Sequence, residues 1–484
     1  MKIRGGYLPR IGGRPSRVVR VVAVPERLFI ELCQDGVTFG PSVGDGDTVV
    51  FGAPLARADV AGGSIALPAP AAGTVSVEPA RASLPASIAL TVSSAEIRPL
   101  GSRHTPERTT ADAMRGALAG GGIWPRIWSS TTRGMPPLDG SEAPRRIIVN
   151  FVVAEPFRTR GKVVLQEDWE RVAAGLRFLP RLLAEYGVIH LVLTELSDPV
   201  ALAIRKESAG HAWVHIEDVP VRYPVEHPRV LLRALRQSEK RVKPDEVVWV
   251  LDVQAVQAIG ACMGEGIPLH ERIVAVGGPG ASNPRHVRVR VGTPIERFLE
   301  PVDSAATPLV LRGGLLSGRP ANPATGVGYG DDAFFVLPHP TEREFLGFMN
   351  PGFDRVSILP CFASRLTGAP DNHITTSIRG ERRPCIACGL CETICPARLL
   401  PQVLHRYIYR DAIDQAEAAG LPLCIRCGLC SYVCPSKIEL SHEFTKTQER
   451  LEAEHREQAA METERERREE NRTSEAEHSE DWRK

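Results

Sequence analysis

The chain lacks a clear excess of either charge. Its 484 residues include 59 basic and 58 acidic side chains, which gives a formal net charge of +1. Proteins whose main partner is nucleic acid usually carry a basic excess, concentrated in a patch or stripe. The composition therefore gives no support for nucleic-acid binding, and we expect no such partner.

The sequence also lacks a long hydrophobic run and a secretory signal. A membrane-spanning helix needs about 20 consecutive apolar residues. The most apolar stretch, residues 247–263, is interrupted by Asp252, Gln254 and Gln257. The segment before Glu26 carries several arginines and no uninterrupted apolar core, which argues against a signal peptide. We therefore expect a cytoplasmic chain that meets a membrane only peripherally.

Complete nucleotide-binding signatures are missing as well. The run Gly120-Gly121-Gly122 could turn backbone N–H groups toward a flavin or a nucleotide phosphate. It lacks the full G-x-G-x-x-G pattern and the lysine of a P-loop, so a plain turn is the alternative interpretation. A second run, at residues 277–280, follows a predicted strand and is interpreted as a domain linker.

Cysteine, in contrast, is abundant and clustered. Eight of the 11 cysteines fall in two stretches that both read C-x-x-C-x-x-C-x-x-x-C-P. The two stretches are an internal repeat, with cysteines at 385, 388, 391 and 395 and at 424, 427, 430 and 434. The isolated Cys33, Cys262 and Cys361 are interpreted as buried small hydrophobic residues.

Three kinds of site compete for the repeated cysteines. Disulfides are disfavoured because such close pairs are strained and nothing indicates an oxidising compartment. Structural zinc usually takes two C-x-x-C pairs separated by a longer loop. Two [4Fe–4S] clusters match the spacing in full, since the cysteine before each proline ligates the other cluster. On that pattern, cluster one is held by Cys385, Cys388, Cys391 and Cys434, and cluster two by Cys424, Cys427, Cys430 and Cys395.

The remaining patterns predict a multidomain α/β protein. Short strands with turn residues resemble biotinyl and lipoyl carrier domains, although the turn near residues 65–70 has no lysine to modify. Buried strands predicted at 146–153, 188–194, 247–251 and 273–276, with a helix at 169–186, indicate an open, mostly parallel sheet. The residues from 445 onward alternate Glu and Arg, typical of a solvated helix, a disordered tail or a docking helix.

Longer motifs carry a resemblance to known families. The two cysteine segments resemble RnfC, the electron-input component of the Rnf complex. The run Gly6-Tyr7-Leu8-Pro9-Arg10-Ile11-Gly12-Gly13 and the run Arg343-Glu344-Phe345-Leu346-Gly347-Phe348 are similar to NqrA, a component of the sodium-pumping NADH:quinone oxidoreductase. The resemblance covers nearly the whole chain except the tail.

The resemblance implies a domain plan. It predicts an N-terminal barrel-sandwich hybrid, a Rossmann-like α/β domain related to the flavin-bearing subunit of respiratory complex I, a β-grasp domain, and a C-terminal helical dicluster ferredoxin domain. The predicted limits are 1–105, 106–282, 283–335 and 336–442, followed by the charged tail at 443–484.

The resemblance also implies a flavin site. In the Rnf protein a G-x-G-G-x-G-F-P loop accompanies FMN and NADH binding; here Gly120, Gly121 and Gly122 stand in that loop, without its last glycine and phenylalanine. The companion C-E-P motif is represented by Ala154-Glu155-Pro156, which makes Glu155 a candidate cofactor-binding residue.

The predicted function is electron transfer. We expect a peripheral subunit, on the inner face of the cell membrane, of an ion-translocating or quinone-linked oxidoreductase. Its expected partners are membrane subunits, a soluble donor (NADH or ferredoxin) and, as a further candidate, quinone. Two alternatives stay open: an NADH-oxidising, FMN-binding entry subunit, and a soluble ferredoxin-type adaptor for a cytosolic reductase.

Overall fold

The computed structural model describes residues 1, 3–81, 84–101, 103–194, 199–208, 210, 213–238, 242–300, 308–339, 374, 376 and 381–481. The chain divides into two compact units, Met1–Arg379 and Gly380–Lys484. This division falls inside the predicted helical domain of residues 336–442. In the described part of the chain, no helix has both the length and the apolar character that crossing a bilayer requires.

The first unit begins with β1 (Val19–Val21), which joins a sheet described below, and continues with small antiparallel sheets. Their strands are β2 (Arg27–Glu31), β3 (Cys33–Gln34), β4 (Val37–Thr38), β5 (Gly40–Pro41), β6 (Thr48–Val49), β7 (Pro54–Val60), β8 (Gly63–Pro68), β9 (Ala72–Glu78) and β10 (Ser87–Ser94). One sheet has the order β2-β10-β9-β6, another β5-β7-β8, and β3 pairs with β4. Among the described strands none of these sheets closes into a barrel. Residues 65–68 belong to β8, so the turn expected there follows at residues 69–71.

A five-stranded sheet forms the centre of the α/β region. It contains β11 (Trp128–Ser129), β12 (Arg146–Asn150), β13 (Val188–Leu193), β14 (Val214–Asp218) and β15 (Val248–Asp252), in the order β11-β15-β12-β13-β14. All its pairings are parallel except that of the edge strand β11. Three of the four buried strands predicted from apolar runs are therefore present in this sheet.

Five helices accompany this sheet: α1 (Ala111–Gly120), α2 (Gly161–Phe178), α3 (Pro199–Ser208), α4 (Pro228–Ser238) and α5 (Val253–Gly260). The predicted helix at 169–186 is α2, which begins eight residues earlier and ends at Phe178. Asp168 has non-helical dihedral angles and kinks α2, which explains why the apolar periodicity was readable only beyond that point. Gly260 lets α5 approach α2 closely, since a β-carbon at Gly260 would lie 1.8 Å from the carbonyl oxygen of Arg171 in α2.

A six-stranded mixed sheet completes the first unit. It contains β1, β16 (Glu271–Gly277), β17 (Arg285–Arg290), β18 (Leu309–Arg312), β19 (Arg319–Pro320) and β20 (Ala333–Leu337), in the order β1-β17-β16-β20-β18-β19. The prediction that residues 273–276 add a fourth strand to the parallel sheet is wrong, because β16 pairs with β17 and β20. The glycine-rich run at 277–280, interpreted as a linker, includes the last residue of β16 and the start of its connection to the antiparallel strand β17.

The second unit is helical. Its helices are Leu390–Ile394, Pro401–Tyr409, Ile413–Ala418, Leu429–Tyr432 and Leu440–Asp481. A small core that includes Leu399, Leu404, Ile438 and Phe444 holds them together. The last helix, Leu440–Asp481, is called the C-terminal helix below. Its first turns bury Phe444, Gln448 and Leu451, so the predicted charged tail at 443–484 begins as part of this core.

Candidate functional site

The eight clustered cysteines line two separate cavities in the second unit. The first is lined by Cys385, Cys388, Cys391 and Cys434. The second is lined by Cys395, Cys424, Cys427 and Cys430. Each cavity thus takes three cysteines from one repeat and the fourth from the other repeat. This grouping coincides with the crossed sets predicted from the sequence.

The two loops share one backbone conformation. Ala387 and Arg426 have φ angles of 53° and 54°, and Gly389 and Gly428 both have φ of 74°. A short helix follows each glycine and carries the third cysteine of its repeat. Left-handed residues turn the chain sharply around the cavity, and glycine adopts that conformation without a steric penalty. The two repeats therefore share a backbone conformation as well as a sequence pattern.

Contacts between the repeats bring the fourth cysteine to each cavity. The Ser436 hydroxyl donates a 2.9 Å hydrogen bond to the carbonyl of Pro384, and Arg383 N–H donates to the carbonyl of Ser436 at 2.9 Å. These bonds tie the residues just before Cys385 to those just after Cys434. At the second cavity the Gln448 amide donates to the carbonyls of Leu421 and Cys424.

Backbone donors and burial set the electrostatics of the cysteines. Ala387 N–H donates to Cys385 Sγ, and Leu399 N–H donates to Cys395 Sγ, both at 3.4 Å. Burial raises the pKa of the Cys427 thiol to about 12, and it raises the pKa values of Cys430 and Cys391 above the usual range. Buried thiolates need nearby positive charge, which ligated iron supplies, so metal binding would displace the thiol protons.

The cysteine sets fit the ligand pattern of a [4Fe–4S] cluster. Within the described ranges no three His, Cys, Asp or Glu side chains converge tightly enough to hold one metal ion. A [4Fe–4S] cube requires wider spacing, because each thiolate ligates a different iron. The donor chemistry and the four-cysteine lining of each cavity therefore fit a cluster.

The two loops differ in how well they are covered. In the first loop Ile386 is 66% exposed, and Ala387 and Cys388 are exposed as well. In the second loop Arg426 bonds to Gln448 at 2.7 Å and to Glu452 at 2.9 Å on the C-terminal helix. The corresponding position of the first loop is Ala387, which cannot make such contacts. The first cavity is accordingly the more accessible within this unit.

The glycine run predicted to face a flavin packs closely against neighbouring residues. Gly120 ends α1, Gly121 caps it, and a β-carbon on Gly121 would lie 3.2 Å from Cys262 Sγ. Gly122 has φ of 72° and lies against Pro68. Neither these glycines nor their neighbours line the large cavity beside Glu155.

Glu155 is bound by the loop that connects β18 and β19. Its carboxylate accepts hydrogen bonds from the N–H groups of Leu316 and Ser317, at 3.0 and 2.8 Å, and from the Ser317 hydroxyl at 2.6 Å. Arg158 lies 3.5 Å away and also binds Asp332. The side chain of Glu155 is fully buried, so its oxygens are occupied within the protein.

A partly buried carboxylate that the sequence did not single out lies beside Glu155. Glu226 accepts hydrogen bonds from the N–H groups of Glu155 and Ala154, at 2.7 and 3.3 Å. Burial, and then the charge of Glu155, raise the pKa of Glu226 to about 7. No spacing motif marks this residue, because it reaches the site from the turn that precedes α4.

The three isolated cysteines have different environments. Cys262 is buried, as predicted, and burial raises the pKa of its thiol to about 12. The prediction is wrong for Cys33, which is exposed on the short strand β3. Cys361 lies outside the described residues.

Comparisons with known proteins identify two domains. The family model for the NqrA second alpha/beta domain matches residues 109–267, and the model for the 4Fe-4S dicluster domain matches residues 384–439. The first match covers the parallel sheet, and the second covers both cysteine repeats. A 4Fe-4S dicluster domain indicates that the chain carries iron–sulfur clusters.

Two relatives that align over most of the chain agree with these matches. The NqrA protein of the Na(+)-translocating NADH-quinone reductase from Histophilus somni (strain 129Pt) is 28% identical over 86% of this chain and 91% of its own length. Its counterpart from Rhodopirellula baltica is 29% identical over 78% of this chain and 81% of its own. A chain in the crystal structure of an air-oxidised NAD+-reducing [NiFe]-hydrogenase is 16% identical, with a TM-score of 0.36 over 50% of this chain and 52% of its own. The chain is thus a homologue, over most of its length, of the NqrA proteins of this reductase, and it combines an NqrA second α/β domain with a 4Fe-4S dicluster domain.

Proposed function

We propose that the chain is an electron-transfer subunit of an NADH-quinone oxidoreductase, and that it relays single electrons through two [4Fe–4S] clusters. The observation that carries this proposal is the pair of four-cysteine cavities in the second unit. Cluster one would be held by Cys385, Cys388, Cys391 and Cys434, and cluster two by Cys424, Cys427, Cys430 and Cys395.

The local chemistry supports a relay over a reaction site. A [4Fe–4S] cluster accepts and donates one electron at a time. The protein's contribution is to hold it, exclude water, and donate backbone hydrogen bonds to the cysteine sulfurs, which tunes the potential. The described residues that line the two cavities are cysteine, proline, glycine and aliphatic side chains, with Gln402, Ser436, Ser441 and Phe444. None of them is a typical general acid or base.

The names of the relatives support a membrane-linked role. They are components of Na(+)-translocating NADH-quinone reductases. By analogy, this chain would lie peripherally on the inner face of the cell membrane and exchange electrons with membrane subunits and a soluble donor, with quinone as a further ligand. A soluble adaptor for a cytosolic reductase is the competing role, and extraction of the chain free of membrane subunits would favour it.

An anaerobic absorbance titration of the purified full chain tests the proposal. Cluster absorption should bleach when dithionite is added. Bleaching by NADH alone would make the chain the electron entry point and require a working flavin, the role assigned from sequence to Gly120, Gly121, Gly122 and Glu155. Bleaching by dithionite only would identify a relay whose donor is another protein, and no bleaching at all would refute the clusters.

A further inference from the structure

Gln402 brings an amide side chain to the first cysteine cavity. Besides its four cysteines, the described lining of this cavity has two polar side chains, Gln402 and Ser436. The Ser436 hydroxyl is already bonded to the carbonyl of Pro384. Gln402 is therefore the polar side chain of this lining whose donor groups can turn to what fills the cavity.

The amide of Gln402 is weakly bonded within the protein. Its Nε2 lies 3.5 Å from Oε2 of the exposed Glu392, which is the outer limit for a hydrogen bond. Its Oε1 is buried, and in the described part of the chain this oxygen has no hydrogen-bond partner. A buried amide oxygen without a donor is costly, and a half-turn about the last side-chain bond puts the NH₂ group in its place. The amide thus has both the reason and the freedom to point an N–H group at an acceptor in the cavity.

A helix start holds Gln402 beside Cys391. Pro401 is the first residue of the helix Pro401–Tyr409 and has no N–H group, so Gln402 carries the first backbone N–H of that helix. Burial raises the pKa of the Cys391 thiol, and the backbone N–H groups of Glu392 and Gln402, which face its sulfur, act in the opposite direction. The backbone of Gln402 therefore already faces a proposed ligand of cluster one.

The equivalent position of the second repeat carries a different side chain. Gln402 follows Cys395 at the same spacing as Ser441 follows Cys434. Each of the two lines the cavity that holds the first three cysteines of its own repeat. Ser441 has a short hydroxyl side chain, and its N–H group donates to the Ser431 hydroxyl at 2.8 Å. Among the described lining residues, a side-chain amide is thus present at the first cavity and not at the second.

The surroundings of the two loops act in the same direction. Water near the exposed Ile386 stabilises the more negative, reduced form of a cluster, and solvent exposure is one of the factors that set the potential. The positive charge of Arg426 in the second loop is balanced by Glu449 and Glu452, at 3.6 and 2.9 Å. Glu392, which follows Cys391, is exposed, so water and salt screen its charge.

We infer that the Gln402 amide donates a hydrogen bond to a sulfur atom of cluster one, raises its reduction potential and makes it the higher-potential cluster of the pair. The reduced cluster carries one more negative charge than the oxidised cluster, so it accepts the stronger hydrogen bond. A single electron shared by the pair then rests on cluster one, beside the more exposed loop. This inference rests on the proposed function, and it gives the relay a direction, since cluster two is oxidised by one electron as cluster one is reduced.

Redox titration of the full chain, followed by electron paramagnetic resonance, tests the inference. Two backgrounds separate the clusters: Cys395→Ser/Cys427→Ser keeps cluster one, and Cys388→Ser/Cys434→Ser keeps cluster two. Cluster one should have the higher potential. In its background, Gln402→Leu should lower the equilibrium constant for reduction about tenfold, which is about 59 mV for a one-electron couple.

Matched measurements separate the hydrogen bond from a general effect of substitution. Gln402→Leu should leave the potential of cluster two unchanged. Gln415→Leu, the same change at an exposed position, should leave both potentials unchanged. Pulsed electron paramagnetic resonance of the cluster-one background, with isotopically labelled nitrogen in its glutamine side chains, should show coupling of that nitrogen to the reduced cluster. This measurement keeps Gln402 in place, so it does not depend on a variant that retains its cluster.

The possible failures can be told apart. An unchanged potential in Gln402→Leu, an equal shift in Gln415→Leu, or absence of the nitrogen coupling would overturn the hydrogen bond. A potential of cluster two equal to or above that of cluster one would overturn the direction of the relay. Each of these results leaves the clusters in place, whereas a chain without any cluster signal would refute the proposed function itself.

Discussion

Cys434 and Cys385 line the same cavity, although they belong to different cysteine repeats. The bonds of Ser436 to Pro384 and Arg383 hold them there. The two ligand sets therefore depend on each other, because each repeat supplies cysteines to both cavities. Which cavity a substitution affects depends on which cavity the substituted cysteine lines.

Paired serine substitutions test the crossed ligation. Cys388→Ser/Cys434→Ser removes two cysteines from the first cavity, so one cluster, about four irons, should remain. Cys388→Ser/Cys395→Ser removes one cysteine from each cavity, so both clusters should be weakened or lost. Iron and sulfide analysis with electron paramagnetic resonance measures the outcome. If each repeat held its own cluster, the two variants would exchange results.

The unequal covering of the loops predicts unequal cluster stability. Cluster one, beside the exposed Ile386, should lose iron to a chelator several-fold faster than cluster two. Arg426→Ala gives the second loop the residue that the first loop has naturally and removes its bonds to the C-terminal helix. It should speed iron loss from cluster two. The rate of iron loss from each cluster can be measured by the bleaching of its absorbance in variants that keep only that cluster. Equal rates for cluster one and cluster two would contradict the prediction.

Glu155 and Ser317 offer a test of structural against cofactor roles. Glu155→Ala leaves Arg158 and two backbone N–H groups without their acceptor and should lower the stability of the first unit by about 3 kcal/mol. Ser317→Ala removes one of the hydrogen bonds and should cost about 1 kcal/mol. Intrinsic fluorescence follows this unit, because five of the six tryptophans lie in it. Unchanged stability with loss of bound flavin would assign Glu155 to a cofactor.

Glu226 predicts a specific pH dependence. Its pKa in the folded state is raised to about 7, above the usual 4.5, so the native state binds the extra proton. Its contribution to stability is therefore present below about pH 4.5 and is lost as the pH rises through 7. Glu226→Gln imitates the protonated form. The variant should match the parent near pH 5 and have the higher melting temperature at pH 8.

The matched control for that prediction is the exposed Glu185→Gln, whose melting temperature should follow that of the parent. Burial lowers the pKa values of His227 and His270 to about 4, so these residues make the protein more stable as the pH rises. This effect is present in both the variant and the parent, so it cancels in the difference between their melting temperatures. A difference between Glu226→Gln and the parent that stays constant from pH 5 to pH 8 would show that Glu226 is ionised throughout.

Predictions from the sequence succeeded where the information is local. Apolar, β-branched runs identified β12, β13 and β15, since a strand buried on both faces needs apolar side chains at every position. The same logic failed at β16: an apolar run shows that a strand is buried but does not show which sheet it joins. The start of α2 was missed because the kink at Asp168 interrupts the helical periodicity.

The sequence by itself determined the cysteine chemistry, because ligand spacing within a loop is a property of neighbouring residues. The tertiary structure alone decided what depends on distant segments. It paired Glu155 with Ser317, 162 residues away, and placed Glu226 beside them. It also joined the N-terminal arginines to Arg160 across one cavity. The sequence does not show that charged residues far apart along the chain lie close together, because only the packing of sheets and helices sets the distance between them.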